Sequence, residues 1–382
     1  MKKICVITGS RADYGLLKWL ILFLQKDKKI ISSLIVTGTH LAKNYGYTVD
    51  AIKKDGLKIT SKIDLRIQKT DEKNLAKSMA ISLNRTTNEL CKIKPDIVIL
   101  LGDRYELLSS AISCMILNIP IGHIHGGELT EAAFDDAIRH SITKMSHLHF
   151  VANKVYKKRV MQLGENKKNI YNVGGLGLDN LKYTKLLTKK ELEKNLGIKF
   201  LKKSSLVTFH PVTLEKNSIN QLIELLESMK NFKDITFIIT SPNADTVGLK
   251  MKEVILTYVK NNLNFHFFDS LGQLRYLSTI KVVDFVLGNS SSGIIEVPEL
   301  NKFTINIGDR QRGRLMAESI IQCKPNKKDI IQKINLIYRK FKNKKIVNNS
   351  NLYGKAGASY KIYNILKKIN LKQIIKKKFY DQ

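Results

Sequence analysis

Residues 97–105 read Ile97-Val98-Ile99-Leu100-Leu101-Gly102-Asp103-Arg104-Tyr105. An unbroken apolar run opening on β-branched residues describes a strand buried on both faces. Gly102 ends it and delivers Asp103 to its carboxyl end. A helical pattern follows from Tyr105 to Leu117. Strands of this kind belong to parallel sheets covered by helices, so the stretch predicts an α/β fold.

The same grammar extends in both directions. Ile4-Cys5-Val6-Ile7-Thr8, Leu34-Ile35-Val36-Thr37 and Ile119-Pro120-Ile121-Gly122-His123 read as further strands. Tyr14 to Gln25 and Leu75 to Ile93 read as helices between them. The pattern restarts at Leu206-Val207-Thr208-Phe209 and continues through runs at 235–239, 265–268, 283–287 and 303–306. Helical patterns over Ile219 to Lys230 and Val247 to Asn261 separate these strands. Gly174-Gly175-Leu176-Gly177 and the polar stretch to about Lys203 mark the hinge. The expectation is two doubly wound domains, residues 1–175 and 176–355, facing a central cleft. Residues 356–382 are expected to form a helix, patterned from Tyr360 to Lys378, that packs back on the first domain. In such sheets ligands bind at the carboxyl ends of the strands.

Composition narrows the classes. At about 150 residues per domain, 382 residues make two or three domains. With 43% hydrophobic and 26% charged residues, the chain can bury a core and is not compositionally disordered. The net charge of +32 calls for an anionic partner. Its lysines are scattered through the helical patterns, which fits solvated helix faces better than a nucleic-acid tract. No apolar run approaches the roughly 18 residues of a spanning helix. The apolar stretch after Met1-Lys2-Lys3 is too short for a signal peptide. Cys5, Cys91, Cys114 and Cys323 are far apart and read as buried thiols of a reducing compartment. A cytoplasmic protein without membrane insertion is expected.

Several strand ends carry chemistry. Thr8-Gly9-Ser10-Arg11-Ala12-Asp13-Tyr14-Gly15 joins a strand, a glycine turn and a helix start, an arrangement whose backbone N–H groups suit an anion. Arg11 adds a fork for phosphate. Neither G-x-G-x-x-G nor G-x-x-x-x-G-K-[ST] occurs, which weakens a nicotinamide or P-loop reading. Asp103 is a candidate acid/base or substrate orienter, or else an N-cap. His123-Ile124-His125-Gly126-Gly127-Glu128 would put two histidines on one strand face, as acid/base groups lining the cleft rather than as metal ligands. Asp135-Asp136-Ala137-Ile138-Arg139-His140 pairs charges at i, i+4, while Asp135 can also aim at the site. His147 and His149 read as structural. His210, in Phe209-His210-Pro211-Val212-Thr213, suits proton transfer or phosphate contact. Leu287-Gly288-Asn289-Ser290-Ser291-Ser292-Gly293 leads into the helix of Glu296 and forms the strongest phosphate cradle in the chain. Glu296 is placed to take two ribose hydroxyls, and Arg310 follows a later strand. Two phosphate loops with carboxylates and histidines imply a nucleotide-linked substrate.

Taken in order, these segments resemble the bacterial hydrolysing UDP-N-acetylglucosamine 2-epimerases. The resemblance rests on TGSRADYG from Thr8, VTGTHLAKNYGYT from Val36, GDRYE from Gly102 and HIHGGE from His123. It continues through IRHSITKMSHLH from Ile138, HPVT from His210, GNSSSG from Gly288 and INIGDRQRGR from Ile305. It implies a GT-B-like fold of two Rossmann-like domains, hydrolysis with inversion at C2, and no nicotinamide or metal cofactor. By matching positions, Arg11, Arg104, Ser290, Ser291, Glu296 and Arg310 would bind UDP. Asp103, Asp135 and His210, with Glu128 close by, would handle protons. Where related epimerases carry Glu within H-[IV]-E-[GA]-G, this chain has His125, so either His125 or Glu128 takes over that transfer. The implied reaction converts UDP-N-acetylglucosamine to N-acetylmannosamine plus UDP through a glycal, for sialic-acid-type sugars. The same reaction on UDP-2,4-diacetamido-2,4,6-trideoxy-glucose, feeding legionaminic acid, stays open, as does a GT-B glycosyltransferase. The expected partners are a UDP-sugar and further copies of the chain, as a dimer or tetramer, and no nucleic acid.

Overall fold

The computed structural model describes every residue except 43–45, 68–70, 130–133, 213–216, 243–245, 343–351 and 382. Lys43, Asn44 and Tyr45 of the second motif and Thr213 of HPVT lie outside the described residues. The chain divides into two compact units. One holds Met1–Leu129, Ala133–Lys182 and Tyr353–Gln382, and the other is built on Tyr183–Leu352.

The first unit contains seven strands: β1 (Lys2–Thr8), β2 (Ile30–Thr37), β3 (Ser61–Ile63), β4 (Ile97–Leu101), β5 (Ile121–Ile124), β6 (Leu148–Val151) and β7 (Ile170–Asn172). They form one sheet in the order β3-β2-β1-β4-β5-β6-β7, with neighbouring strands paired in parallel. Its helices are α1 (Arg11–Lys26), α2 (Val49–Lys54), α3 (Glu72–Ile93), α4 (Tyr105–Ile116), α5 (Phe134–Met145), α6 (Lys154–Gln162) and α7 (Gly177–Tyr183). β4 shows why its sequence is apolar throughout. Ile97, Ile99 and Leu101 enter one core with Leu17, Leu20 and Ile21 of α1, while Val98 and Leu100 enter another with Leu107 of α4 and Ile142 of α5.

The second unit contains α8 (Lys189–Leu196), β8 (Lys203–Thr208), α9 (Ser218–Met229), β9 (Ile235–Thr240), α10 (Thr246–Lys260), β10 (Phe265–Phe268), α11 (Gly272–Val282), β11 (Phe285–Gly288), α12 (Ser292–Glu299), β12 (Phe303–Ile307), β13 (Ile320–Cys323) and α13 (Lys327–Lys342). Its sheet runs β10-β9-β8-β11-β12-β13, again parallel. Both orders are doubly wound, turning back at the first strand of the unit. The fold class read from the sequence, two Rossmann-like α/β domains, is therefore what the chain adopts.

Three details depart from expectation. The C-terminal pattern does not run as one helix to Lys378. α14 (Ala358–Lys368) stops where the Lys2 ammonium takes the carbonyl oxygens of Leu366, Lys367 and Ile369, and a short 3-10 turn, Leu371–Gln373, follows. Cys91, on α3, is exposed, whereas Cys5, Cys114 and Cys323 are buried. The strands β3 and β7, three residues each, are too short to announce themselves by pattern, and β13 is a further strand the sequence reading did not include. Among the described residues, no helix is long and apolar enough to cross a membrane.

α14 packs against α1, with Ile362 and Leu366 in the same core as Leu17 and Leu24. Its start is held by a buried carboxylate on α7. Asp179 accepts backbone N–H bonds from Gly357, Ala358 (3.0 Å) and Ser359 (2.6 Å). These donors would otherwise be orphans at a helix N-terminus. Asp179→Ala is expected to destabilise the first unit by about 3 kcal/mol, and Asp179→Asn by less, in urea unfolding. A loss below about 0.5 kcal/mol for Asp179→Ala would contradict this reading.

Candidate active site

A doubly wound sheet opens a crevice where the strand order reverses. In the first unit that point lies between β1 and β4, in the second between β8 and β11. The residues singled out from the sequence collect at these two places.

In the first unit Gly102, at φ 87, turns the chain out of β4 and Asp103 follows. Arg139 of α5, 4% exposed, ion-pairs with Asp103 through Nη2. Its Nη1 donates to the Glu128 carbonyl (2.9 Å) and approaches Asp136 (3.5 Å). A guanidinium so buried is tolerable only when its fork is filled. The ring of His123 sits behind the same corner. Its Nε2–H donates to the Gly102 carbonyl at 2.8 Å, and the Thr143 hydroxyl lies 3.0 Å from its Nδ1. His123 is fully buried, so it fixes a turn and does not line the crevice as the alternation suggested.

His125 escapes that alternation because β5 ends at Ile124. His125 takes the left-handed conformation (φ 66), which costs a non-glycine residue about 1–3 kcal/mol. The following glycines explain how it is held. A Cβ on Gly126 would lie 2.9 Å from the Thr143 hydroxyl, and one on Gly127 only 2.6 Å from the Tyr156 carbonyl oxygen. His125 Nδ1 stands 3.5 Å from Glu128 Oε1, with both side chains largely buried.

Beside this corner Arg104 donates from Nε to Glu106 at 2.6 Å. Glu106 is fully buried and so close to Gly9 that a Cβ there would lie 2.4 Å from its Oε1. Asp13 sits in the same cluster. Burial pushes its carboxyl up to about 6, against the pull of Arg104. Asp135, in the first turn of α5, is also raised by burial, with Arg104 opposing and Glu106 adding to the shift. In the β1 turn, the Gly9 N–H donates to Asp13 (3.3 Å) and the Asp13 N–H to Ser10 (3.3 Å), so part of that donor set serves the turn itself. Arg11 opens α1 with an exposed side chain.

In the second unit Asn289, 1% exposed, organises the loop after β11. Its side-chain amide accepts from the His210 N–H and donates to the His210 carbonyl, each at 2.8 Å. Its own carbonyl takes Arg310 Nη1 (3.1 Å) and Gln311 Nε2 (2.8 Å). Gly288 is obligatory: a Cβ there would lie 2.0 Å from the Thr208 carbonyl oxygen. Ser290 and Ser291 lead into α12, and Ser291 is its N-cap residue. Burial pushes Glu296 up to about 7, with Arg314 opposing the shift. Burial, with Arg310 adding, lowers His210 to about 3, so it is a neutral imidazole at physiological pH.

The structure thus gathers Asp103, Arg104, His125, Glu128 and Asp135 in the first unit. It gathers His210, Ser290, Ser291, Glu296 and Arg310 in the second. Sequence reading did not single out Asn289, Glu106 or Asp13, although each stands inside a quoted motif. Tyr276 was also missed; it adjoins Ser290, Ser292 and Glu296 from α11, where no local signal marks it. His149, fully buried, bonds Glu165 at 3.0 Å and is structural, in line with its reading. Among the described residues no group of three or more His, Cys, Asp or Glu side chains is placed to hold a metal ion.

Burial lowers His123 from 6.5 to about 3. Its neutral form belongs to the fold, so the unfolded chain binds the proton first as pH falls. The stability His123 contributes is present above pH 6.5 and is lost as pH falls toward 3. The thermal-midpoint advantage of wild type over His123→Asn is therefore expected to narrow between about pH 7.5 and 4.5. A constant gap in a pH series of melting curves would contradict it.

Known proteins resemble this chain along nearly its whole length. The family model described as UDP-N-acetylglucosamine 2-epimerase matches residues 23–367. A Campylobacter jejuni protein named GDP/UDP-N,N'-diacetylbacillosamine 2-epimerase (hydrolyzing) is 41% identical over 100% of this chain and 99% of its own length. The Escherichia coli polysialic acid biosynthesis protein P7 is also 41% identical, over 100% of this chain and 98% of its own. The fold matches an S. aureus MnaA–UDP co-structure with a TM-score of 0.82 at 19% identity, covering 100% of both chains. The chain is an enzyme of the UDP-N-acetylglucosamine 2-epimerase family, in its hydrolysing branch.

Proposed function

We propose that the enzyme hydrolyses UDP-2,4-diacetamido-2,4,6-trideoxy-glucose (UDP-N,N'-diacetylbacillosamine) with inversion at C2, releasing UDP and the free manno-configured sugar. The observation that carries the choice of sugar is the full-length, 41% identical relative whose name states that substrate. UDP-N-acetylglucosamine is the second reading, favoured by the family's description.

The chemistry proceeds by elimination and hydration. A base takes the C2 proton, the C2–H electron pair forms the C1=C2 double bond of a glycal, and the C1–O pair leaves with UDP. Water then adds its oxygen to C1 while a proton returns to C2 from the opposite face. The sequence is redox-neutral, so it calls for no hydride acceptor. Two proton-transfer groups are needed. Asp103 is suited to activating the water that attacks C1, because Arg139 fixes the geometry of its carboxylate. Asp135 is suited to a proton-transfer role, because burial raises its affinity for a proton.

The second unit supplies the nucleotide contacts in this reading. The Ser290 and Ser291 hydroxyls and Arg310 would bind the diphosphate, and leaving-group charge is stabilised best by donors already in place. Glu296 would accept from the ribose hydroxyls, and neutral His210 would offer one hydrogen bond to phosphate. Arg11 and Arg104 would supply charge from the first unit.

The test compares kcat/KM for the two UDP-sugars on the purified enzyme by UDP release. The diacetamido sugar is expected to be preferred by about tenfold or more, the scale that one added polar group commands. Preference for UDP-N-acetylglucosamine would overturn the choice of sugar. Asp103→Asn is expected to lower kcat by about 100-fold or more while leaving UDP affinity unchanged. Unchanged turnover would remove Asp103 from the mechanism.

A further inference from the structure

We propose that His125 is a catalytic base, exchanging a proton with C2 of the sugar through Nε2, and that Glu128 orients it from behind. The proposal rests on the reaction given above and decides which of the two residues does the work.

Three observations converge. His125 is held at φ 66, a conformation that a bulky side chain keeps only when its surroundings insist. They do insist: the His125 N–H donates to the Phe150 carbonyl (3.0 Å), the Gly127 carbonyl takes Arg159, and the Glu128 carbonyl takes Arg139 (2.9 Å). His125, Gly126, Gly127 and Glu128 are thus each fixed by backbone bonding or lack of space. Strain maintained this way, beside Asp103, is the pattern expected where a side chain must be aimed.

The second observation is the ring's asymmetry. Nδ1 faces Glu128 Oε1 at 3.5 Å, while Nε2 is buried and has no hydrogen-bond partner among the described residues. A buried ring nitrogen left without a partner is costly unless a ligand satisfies it. The third observation is the position of Glu128, 4% exposed, behind the imidazole. A carboxylate behind an imidazole fixes its tautomer and stabilises the imidazolium. A separation of 3.5 Å is long for a hydrogen bond, and catalytic contacts of this kind tighten when substrate binds.

The step balances. Neutral His125 keeps its proton on Nδ1, toward Glu128, and presents the Nε2 lone pair. Nε2 takes the C2 proton as the C2–H pair becomes the glycal double bond and the C1–O pair departs with UDP. The imidazolium faces Glu128 until it releases its proton to solvent.

Two variants test the assignment. Asparagine tolerates positive φ and glycine prefers it, so His125→Asn and His125→Gly spare the backbone. Both are expected to lose about 100-fold or more in kcat, with UDP affinity by calorimetry within about threefold of wild type. Added imidazole is expected to restore turnover to His125→Gly in proportion to its concentration, which a structural role would not allow. Glu128→Gln is expected to lower kcat by about tenfold with KM unchanged. Turnover of His125→Asn within about threefold of wild type would overturn the assignment. So would a loss in both variants with no response to imidazole. Wild-type enzyme inactive on both UDP-sugars would instead defeat the underlying reaction, and this proposal with it.

Discussion

A buried arginine holds the candidate catalytic corner of the first unit together. Arg139 is nearly inaccessible to solvent, yet its guanidinium spans the end of β4 at Asp103, the loop after β5 at Glu128, and Asp136 on its own helix. A charge so desolvated would be strongly destabilising without these partners. The same helix acts again one turn later. Thr143 meets His123 Nδ1 while His123 Nε2 fixes the Gly102 carbonyl. Residues 139 and 143 lie on one face of α5, so a single helix sets both the backbone and the side chain of the Gly102–Asp103 turn. The rest of the first unit can be seen as support for that helix and the two strands it grips.

The second unit solves a similar problem with neutral groups. Asn289 ties the loop after β11 to the loop after β8 through a two-way amide bond with His210. Its carbonyl gathers Arg310 and Gln311 from beyond β12. The Gly288 backbone lies against Thr208 with no room for a side chain. Hydroxyls and a helix start on this loop are thereby joined by an arginine from beyond β12, an arrangement suited to an anion.

Much of this was legible in the sequence. The apolar runs located β1, β2, β4 and β5 of the first sheet and β8 to β12 of the second, because a strand buried on two faces leaves no other pattern. A glycine at a strand end located Asp103 and the loop of Ser290, and the end of an apolar run located His210. What could not be read was which distant side chain completes each corner. Arg139 reaches 36 positions back to Asp103, and Asn289 reaches 79 back to His210. Local spacing instead suggested pairs within α5, of which Asp136–His140 at 3.3 Å is present. Alternation also misled at His123 and His125. It assumes an extended backbone, and the positive φ of His125 breaks that assumption one residue after the strand ends. The C-terminal helix was overextended for a related reason: the Lys2 side chain that receives its end comes from the other end of the chain.

The sugar's identity is a matter of contacts around C4 and C6, whereas the proposed reaction type calls for proton-transfer groups and for donors that stabilise a departing diphosphate. That reaction type is the central claim, and NMR of wild-type enzyme with UDP-sugar in deuterated water tests it most directly. The account predicts free UDP and a free amino sugar of inverted C2 configuration carrying deuterium at C2. Release of sugar with unchanged C2 configuration and protium at C2 would contradict it.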